Sequence, residues 1–397
     1  MERSAVINLA HTFLNRVGSW FLTGPSLWEF CCNRDIIAND KITIGIIDSS
    51  AERIEMRCQD MGLTVLSTDR HTVTTSLGGI ETTITIYSDT TKGKVTCADH
   101  DFPKSYVKCN EDTAQEIRKK NSVMGGHGFW RVPLSQTQPL EFNLPFLPGS
   151  ILDIGWPGWF LNIKHKPVAW GINDVFFDDF RTKNGVELIQ KMYECATEAK
   201  IDKSLFMGFG TALGAVRHGG FVPSDRDMDA CILADEITVE QANKYVQACQ
   251  DHHLNEYRWK PPQRRSDTNM PLWFSIGPKN PVSDNGVKSC NWFFFNHGGY
   301  IWHSKGREWI SPAKFNPSKT NYSQADEAIA KGIPSTCIPK LVPMNFLGLT
   351  MLVPANLGAC LDNWYGGSWC CPKEGASAHN HILVVGRWND QNTWRVG

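Results

Sequence analysis

The sequence lacks the features of several common protein classes. It has no apolar run of about 18 residues, the length that a membrane-spanning helix needs. Its first apolar segment, residues 5–14, is interrupted by Asn8 and His11, so we expect no signal-peptide core there. Its 40 basic and 41 acidic side chains leave a formal net charge of −1, which disfavours a nucleic-acid partner. We therefore predict a chain with no transmembrane helix and no nucleic-acid function.

Cys-x-x-Cys spacing is also absent among the 13 cysteines, although it is typical of zinc ribbons and redox motifs. The adjacent pairs Cys31-Cys32 and Cys370-Cys371 are poorly placed for mutual disulfides or for zinc ligation. Because the cysteine count is odd, at least one thiol has no disulfide partner within a monomer. Cysteine usage therefore leaves the redox compartment open.

Among the features that are present, residues 205–233 are the most informative. Residues 205–207 form a short apolar run, which is typical of a buried strand. Gly208 and Gly210 then allow a sharp turn and a close approach of the backbone to a ligand. Thr211 is a favourable N-cap for the short helix that follows, and Gly219 predicts where that helix ends.

Three acidic residues, Asp225, Asp227 and Asp229, lead from this helix into a second apolar run. If a strand begins at Asp227, its side chain and that of Asp229 share one face, because side chains alternate along a strand. Paired carboxylates are hard oxygen ligands, which suit Mg²⁺ or Mn²⁺. With backbone N–H groups from the glycine turn, this pattern predicts phosphoryl or nucleotidyl transfer. The alternative is a solvated acidic strand entry without a function.

Two segments carry a resemblance to a known family. GTALGAVRHGGFVPSDRDMD, at residues 210–229, resembles the signature of the LicD/fukutin phosphotransferases. FLGLTMLVPANLGACLDNWYGGSWCCPK, at residues 346–373, resembles that family's proline-led helix followed by Tyr-Gly and Trp. The resemblance implies an α/β (α+β) fold: a nucleotidyltransferase-like mixed sheet with flanking helices.

The resemblance also implies the site residues and their roles. Asp227 and Asp229 are expected to hold the metal ion, with Asp225 as a further catalytic acid. The expected substrate-binding residues are Gly210 and Thr211 in the phosphate cradle, Arg217 as a two-pronged phosphate ligand, His218 beside it, and Asn291.

Asn291 marks a departure from the family pattern. Relatives carry a third acid at the head of an aromatic run, where it helps to hold metal and accepts a proton. The corresponding run here is Ser-Cys-Asn-Trp-Phe-Phe-Phe, residues 289–295, with Asn291 at that position. Either this alignment is wrong, or another acid such as Asp284 substitutes, or the protein is catalytically weak or inactive.

The two halves of the chain follow the same order of predicted elements, which suggests an internal duplication. Residues 1–165 would be a degenerate N-terminal lobe and residues 166–397 the LicD/fukutin-type catalytic domain. In the overlay, Gly24 matches Gly210, while Lys41 and Thr43 stand where the second half has its acids. The alternative is chance, because any two α/β halves can share an order of helices and strands.

Several individual elements follow from spacing and turn chemistry. We predict helices over residues 51–61, after a Ser49 or Ser50 cap, and over residues 186–199 and 238–249. Residues 292–296 and 300–303 read as a β-hairpin around the turn at residues 296–299.

The leading interpretation is a metal-dependent enzyme that uses Mg²⁺ or Mn²⁺. By resemblance, it would move a phospho-alcohol unit, such as phosphocholine or phosphoribitol, from a cytidine-diphosphate donor to a sugar hydroxyl of a glycan acceptor. The alternatives are an Asp-x-Asp glycosyltransferase and a non-catalytic carbohydrate- or partner-binding pseudoenzyme. The family implies the Golgi or secretory pathway, the missing signal leaves the cytoplasm open, and the sequence does not give the oligomeric state.

Overall fold

The structure is a computed structural model of the chain. It describes the following residues: 3–17, 19–33, 35–38, 40–47, 49–89, 94–97, 100–103, 107–108, 115, 129–133, 140–162, 179–222, 227–253, 257–264, 271–278, 289–295, 301–303, 308–310, 340–365, 369–370, 387–388 and 394–395.

The chain contains the following helices and strands among its described residues. The helices are α1 Arg3–Val17, α2 Gly24–Asn33, α3 Ala51–Asp60, α4 Pro148–Gly155, α5 Asp179–Ala199, α6 Phe209–His218, α7 Val239–His253 and α8 Leu357–Tyr365, with 3-10 turns at Trp159–Asn162 and Ala234–Glu236. The strands are β1 Trp20–Leu22, β2 Lys41–Ile47, β3 Thr64–Thr68, β4 Thr72–Leu77, β5 Ile80–Asp89, β6 Lys94–Cys97, β7 His100–Pro103, β8 Trp130–Pro133, β9 Glu141–Leu144, β10 Leu205–Met207, β11 Asp227–Leu233, β12 Tyr257–Arg264, β13 Pro271–Pro278, β14 Ser289–Phe295, β15 Ile301–His303, β16 Glu308–Ile310, β17 Leu341–Phe346, β18 Leu349–Pro354, β19 Arg387–Trp388 and β20 Trp394–Arg395.

Two larger mixed sheets organise the fold. The first has the order β1-β2-β5-β4-β3, with β6 and β7 continuing from β5. The second has the order β10-β11-β14-β13-β12. In each sheet one central pair is parallel, β2 with β5 and β11 with β14, and the neighbouring pairs are antiparallel. The prediction of an α/β fold with a mixed sheet and flanking helices is therefore confirmed.

The strands of the second sheet that position the site are built from apolar residues. Leu205, Phe206 and Met207 of β10 are all buried, as is the run of β11 from Ala230 onwards. Because both faces of these segments are covered, they read in the sequence as continuous apolar runs. The apolar end of β11 thereby anchors the strand in the core and leaves its acidic beginning less buried.

Large aromatic side chains fill the core, which explains the high aromatic content. Trp20, Trp364 and Trp369 are each at most 2% exposed. The rings of Trp364 and Phe209 pack with their centroids 4.8 Å apart, so α8 lies against the first turn of α6. Aromatic burial of this kind contributes strongly to core stability.

Three details differ from the sequence-based expectations. The β-hairpin around residues 296–299 is wrong: β14 pairs with β11 and β13, while β15 pairs with β16. Helix α5 begins at residue 179, earlier than the expected residue 186. Strand β4 was not among the expected elements, and it pairs with β5 in a hairpin that closes over residues 78–79.

Candidate active site

Strand β11 begins with the two predicted acids. Asp227 and Asp229 are half-buried, whereas Met228 between them is 1% exposed. This alternation gives the two carboxylates the same, more open face of the strand, with their Cα atoms about 7 Å apart. The predicted geometry of a paired acid cluster at a strand entry is thus present in this part of the chain.

The glycine turn before α6 closes directly onto Asp229. The Gly208 N–H donates to the Asp229 carbonyl oxygen over 3.2 Å. The Gly210 N–H donates to Oδ2 of Asp229 over 3.1 Å, and the Asp229 N–H donates to the Thr211 hydroxyl over 2.8 Å. Asp229 is therefore fixed at its carbonyl, its amide and its carboxylate by the same short segment.

The helix begins three residues earlier than predicted. Gly208 is the N-cap of α6, and Phe209 follows with a φ of 40°, in the left-handed region. Thr211 therefore lies inside the first turn and is not the N-cap, and its hydroxyl is used by Asp229 instead. A non-glycine residue with positive φ is strained, which indicates that the contacts to β11 outweigh local preference.

The amino-terminal end of α6 faces Asp229 with its backbone N–H groups. This end carries partial positive charge, because the first amides of a helix have no partner within it and the helix dipole points that way. The site therefore already offers one backbone donor to a carboxylate, at Gly210. At its carboxyl-terminal end, α6 stops at Gly219, which adopts φ 69° as the C-cap, as predicted.

Asn291 lies next to Asp229 on the neighbouring strand. In the parallel pairing of β11 with β14, Asp227 stands opposite Ser289 and Asp229 opposite Asn291. The backbone register thus places Asn291 beside Asp229, and its assignment to the position of the third family acid stays a prediction. An amide can offer an oxygen ligand but cannot act as a base.

Two buried cysteine thiols lie near the acids, one on β11 and one on β14. Burial, and then the charges of Asp229 and Asp227, raise the pKa of Cys290 well above its ordinary value. Burial and the charge of Asp229 do the same for Cys231. Burial therefore favours the protonated form of both thiols at neutral pH.

Arg217 is at the opposite end of α6 from the glycine turn. It lies in the last turn of α6, about 10 Å along the helix axis from Gly210. Its side chain is fully buried, and its Nη1 donates to the Trp369 carbonyl oxygen over 2.8 Å. Its Nε donates to Nε2 of the half-buried His218 over 2.9 Å. The structure thus uses Arg217 to tie α6 to the C-terminal segment, and its phosphate contact stays a prediction.

The remaining candidates fall outside what the structure describes. Asp225 and Asp284 are two of them, and for Asn291 only the backbone position is given. Among the described residues no group of three or more His, Cys, Asp or Glu side chains is arranged to hold a metal ion. No helix in the described ranges is long and apolar enough to cross a membrane.

The second mixed sheet presents two acids at the start of a central strand, against a glycine turn and a short helix. Residues 203–356 match the family model described as LicD/FKTN/FKRP, nucleotidyltransferase domain. This match confirms the resemblance seen in the sequence for that part of the chain.

Other comparisons are more distant. One similar solved structure is terminal uridylyl transferase 4 from Trypanosoma brucei with bound GTP, at 14% sequence identity and a TM-score of 0.21. The similarity covers 32% of this chain and 35% of that one. No curated protein matches the chain significantly.

Proposed function

We propose that this protein transfers a phospho-alcohol unit, of the phosphocholine or phosphoribitol type, from a cytidine-diphosphate donor to a sugar hydroxyl of a glycan. The LicD-type domain indicates a transferase of the phosphotransferase kind. The observation that carries the proposal is the shared face of Asp227 and Asp229 together with the hydrogen bond from Gly210 to Asp229.

The donor atoms suit a hard divalent cation. Asp227 and Asp229 supply carboxylate oxygens on one face, and the thiols nearby remain protonated. Mg²⁺ or Mn²⁺ prefers such oxygen ligands, and in this class of reaction a bound divalent ion neutralises charge on a diphosphate. Asp227 and Asp229 are therefore the residues that would hold it.

Gly210 and Thr211 serve the site by fixing Asp229. The Gly210 N–H and the Thr211 hydroxyl both bond to this residue, and Thr211 is only 2% exposed. Their role in the proposal is therefore to set the position of the carboxylate. The α6 amino terminus adds a favourable electrostatic environment for an anionic donor.

The reaction requires a proton acceptor. The acceptor hydroxyl oxygen forms a bond to the donor phosphorus, the bond from that phosphorus to the cytidine monophosphate oxygen breaks, and the hydroxyl proton leaves. Asn291 is unsuited to take that proton, because an amide is not a base at neutral pH. Asn291 is therefore assigned a positioning role. The hydroxyl proton passes to a carboxylate outside the described residues or to solvent.

A second candidate is a non-catalytic binding protein that retains the metal and nucleotide site. The pairing of Asn291 with Asp229 favours it, since the third family acid is missing at that register position. The two candidates differ in turnover. Only the transferase releases cytidine monophosphate from a cytidine-diphosphate alcohol in the presence of a glycan acceptor.

Isothermal titration calorimetry tests the shared first step. We expect Mn²⁺ to tighten the binding of cytidine diphosphate, and Asp227→Asn to remove that enhancement because one of two metal-binding carboxylates is lost. Asp235→Asn is the matched control, since Asp235 is exposed beyond the far end of β11. Equal nucleotide affinity with and without Mn²⁺ would count against both candidates.

A further inference from the structure

Helices α4 and α8 cross in direct backbone contact. A Cβ atom added at Gly149 would overlap the carbonyl group of Gly358, and one added at Gly358 would overlap the carbonyl group of Gly149. The contact is reciprocal: each helix presents a glycine to the other's glycine. Only residues without a side chain permit so close an approach.

A buried aspartate of α8 caps the amino terminus of α4. Asp362 accepts the Gly149 N–H at Oδ1 over 3.1 Å, and the Ser150 N–H and hydroxyl at Oδ2 over 2.6 and 2.7 Å. Its Oδ1 also accepts the indole N–H of Trp369 over 2.9 Å. The carboxylate thereby satisfies backbone donors that lie more than two hundred residues away in the sequence.

An aspartate of α4 likewise caps the amino terminus of α8. Asp153 of α4 accepts the Gly358 N–H at Oδ1 over 3.2 Å and the Ala359 N–H at Oδ2 over 2.7 Å, at the amino terminus of α8. Its Oδ1 accepts the indole N–H of Trp159 over 2.9 Å. Each helix thus carries an aspartate four residues after its glycine, each caps the other helix, and each aspartate binds one tryptophan.

This exchange joins two sheets with the same strand order. Helix α4 follows the β1-β2-β5-β4-β3 sheet in the first half of the chain. Helix α8 follows the β10-β11-β14-β13-β12 sheet in the second half. Helices α2 and α6, which follow the equivalent strands β1 and β10, also contact each other. Equivalent elements that meet in pairs are the mark of a two-fold interface, as in a homodimer.

The two turns after the first strands also correspond. Thr23 N–H donates to the Thr43 carbonyl oxygen, as Gly208 N–H donates to that of Asp229. The next residue has positive φ in both, 52° at Gly24 and 40° at Phe209. Gly24 therefore matches Phe209, one residue from the sequence overlay, whereas Thr43 keeps its match to Asp229.

The first half does not keep the acids. Strand β2 begins with Lys41, at the position that Asp227 has in β11, and Thr43 stands at the position of Asp229. Lys41 Nζ lies 2.9 Å from Oε1 of Glu81 on the adjacent parallel strand. An ion pair between exposed side chains thus stands where the second half has the paired carboxylates.

We propose that the chain is an internal pseudo-dimer, in which the N-terminal lobe is the permanent partner of the LicD-type lobe and Asp362 is a positioning residue for the acid pair. The N-terminal lobe has given up metal binding and retains the interface. Its amino-terminal α4 amides hold Asp362, and this aspartate holds the indole of Trp369. The metal-related part of this statement rests on the proposed function.

The link continues into the site through Arg217. Its Nη1 donates to the Trp369 carbonyl oxygen, which fixes the carboxyl-terminal end of α6. The amino-terminal end of the same helix holds Asp229. Asp153 is one step further from α6, since its indole partner is Trp159, whose ring stacks on that of Trp369 with the centroids 6.1 Å apart. The two aspartates therefore share a stabilising role but differ in their connection to the site.

Two isosteric substitutions in the full-length chain separate these roles. We expect Asp153→Asn and Asp362→Asn to lower the melting temperature by similar amounts, because each replaces acceptor oxygens that serve two backbone amides and one indole. Hydrogen exchange of residues 209–218 should become roughly tenfold faster in Asp362→Asn, the effect of losing one hydrogen bond to a charged group. It should change less in Asp153→Asn, because the indole partner of Asp153 reaches Trp369 by ring stacking and not by a hydrogen bond to the aspartate.

Milder variants keep the test informative if Asp362→Asn does not fold. Trp369→Phe removes the indole donor and Ser150→Ala removes one hydroxyl donor, and we expect the former to speed exchange in α6 more. Unchanged α6 exchange in both Asp362→Asn and Trp369→Phe would overturn the positioning role. A stability loss in only one of the two aspartate variants would overturn the reciprocal interface. Neither measurement needs a metal ion, so a wild-type protein that bound no Mn²⁺ would refute the proposed function alone.

Discussion

The amide of Asp229 donates to the hydroxyl of Thr211 over 2.8 Å, and the Thr211 side chain is buried. This bond crosses from the first turn of α6 to the second residue after the start of the acidic strand. It makes the position of the carboxylate dependent on a hydroxyl eighteen residues earlier in the chain.

Thr211→Val should therefore destabilise the protein by about 1–3 kcal/mol, because it leaves the Asp229 N–H without its acceptor while keeping the side-chain shape. Thr211→Ser retains the hydroxyl and is the matched control. Urea denaturation followed by tryptophan fluorescence measures both. Equal stability of the Val and Ser variants would show that the hydroxyl is dispensable.

Gly208 is required for a steric reason that a second substitution can relieve. A Cβ atom at this position would overlap Sγ of Cys231. Since the Gly208 backbone is extended, at φ −123°, alanine is allowed there conformationally. Gly208→Ala should cost about 1–3 kcal/mol, the usual range for overpacking.

The double variant Gly208→Ala/Cys231→Ala should recover part of that loss, because the sulfur that obstructs the new methyl group is gone. The comparison is a double-mutant cycle on the free energy of unfolding. Strictly additive losses would mean that another contact is responsible for the cost.

Asn291→Asp would restore a third acid in register with Asp229. Without metal, repulsion among neighbouring carboxylates should lower the melting temperature. With Mn²⁺ present, the added charge should increase the metal-induced rise in melting temperature above that of the wild type. Differential scanning fluorimetry with and without Mn²⁺ measures both effects. Asn15→Asp, on the exposed side of α1, makes the same chemical change far from the site and should show neither.

The interface aspartates predict a pH dependence. Burial raises the pKa of Asp362 from 3.8 to about 7 and that of Asp153 from 3.8 to about 6, against the opposing effect of their hydrogen bonds. A carboxyl whose pKa is higher in the folded state binds its proton more tightly there. Its contribution to stability is therefore complete below the unfolded value, near pH 4, and is lost as the pH rises through 6 to 7.

Asp362→Asn has no such titration, so this substitution should cost more stability at pH 5 than at pH 8. Urea midpoints of the wild type and the variant at the two pH values give the difference directly. A cost that is the same at both pH values would mean that Asp362 keeps one protonation state throughout.

Local patterns predicted the elements whose signals lie within a few residues. The glycine at position 219 ends α6 as expected, and β11 begins at the first acid of the pair, where the alternation of polar and apolar residues starts. Ser50 caps α3 through its side chain, with Oγ accepting the Arg53 N–H. In each case the determining interaction is within one turn or one strand.

Interactions across long sequence separations explain the rest. Thr211 has the properties of an N-cap, but hydrogen bonds to a strand that comes later in the chain draw the helix start back to Phe209. The turn-rich residues 296–299 suggested a hairpin, yet lateral pairing with β11 and β13 decides the partners of β14. The role of Asp362 had no local signal, because Gly149 and Ser150 are its partners.

The exchange of aspartates between α4 and α8 has a consequence for biosynthesis. Helix α4 obtains the carboxylate that completes it from a residue 212 positions later. At about 5–20 residues per second, the ribosome takes roughly 10–40 s to reach that residue. The first lobe therefore emerges with an uncapped helix end, and the chain must be translated as far as Asp362 before that helix can reach its final state.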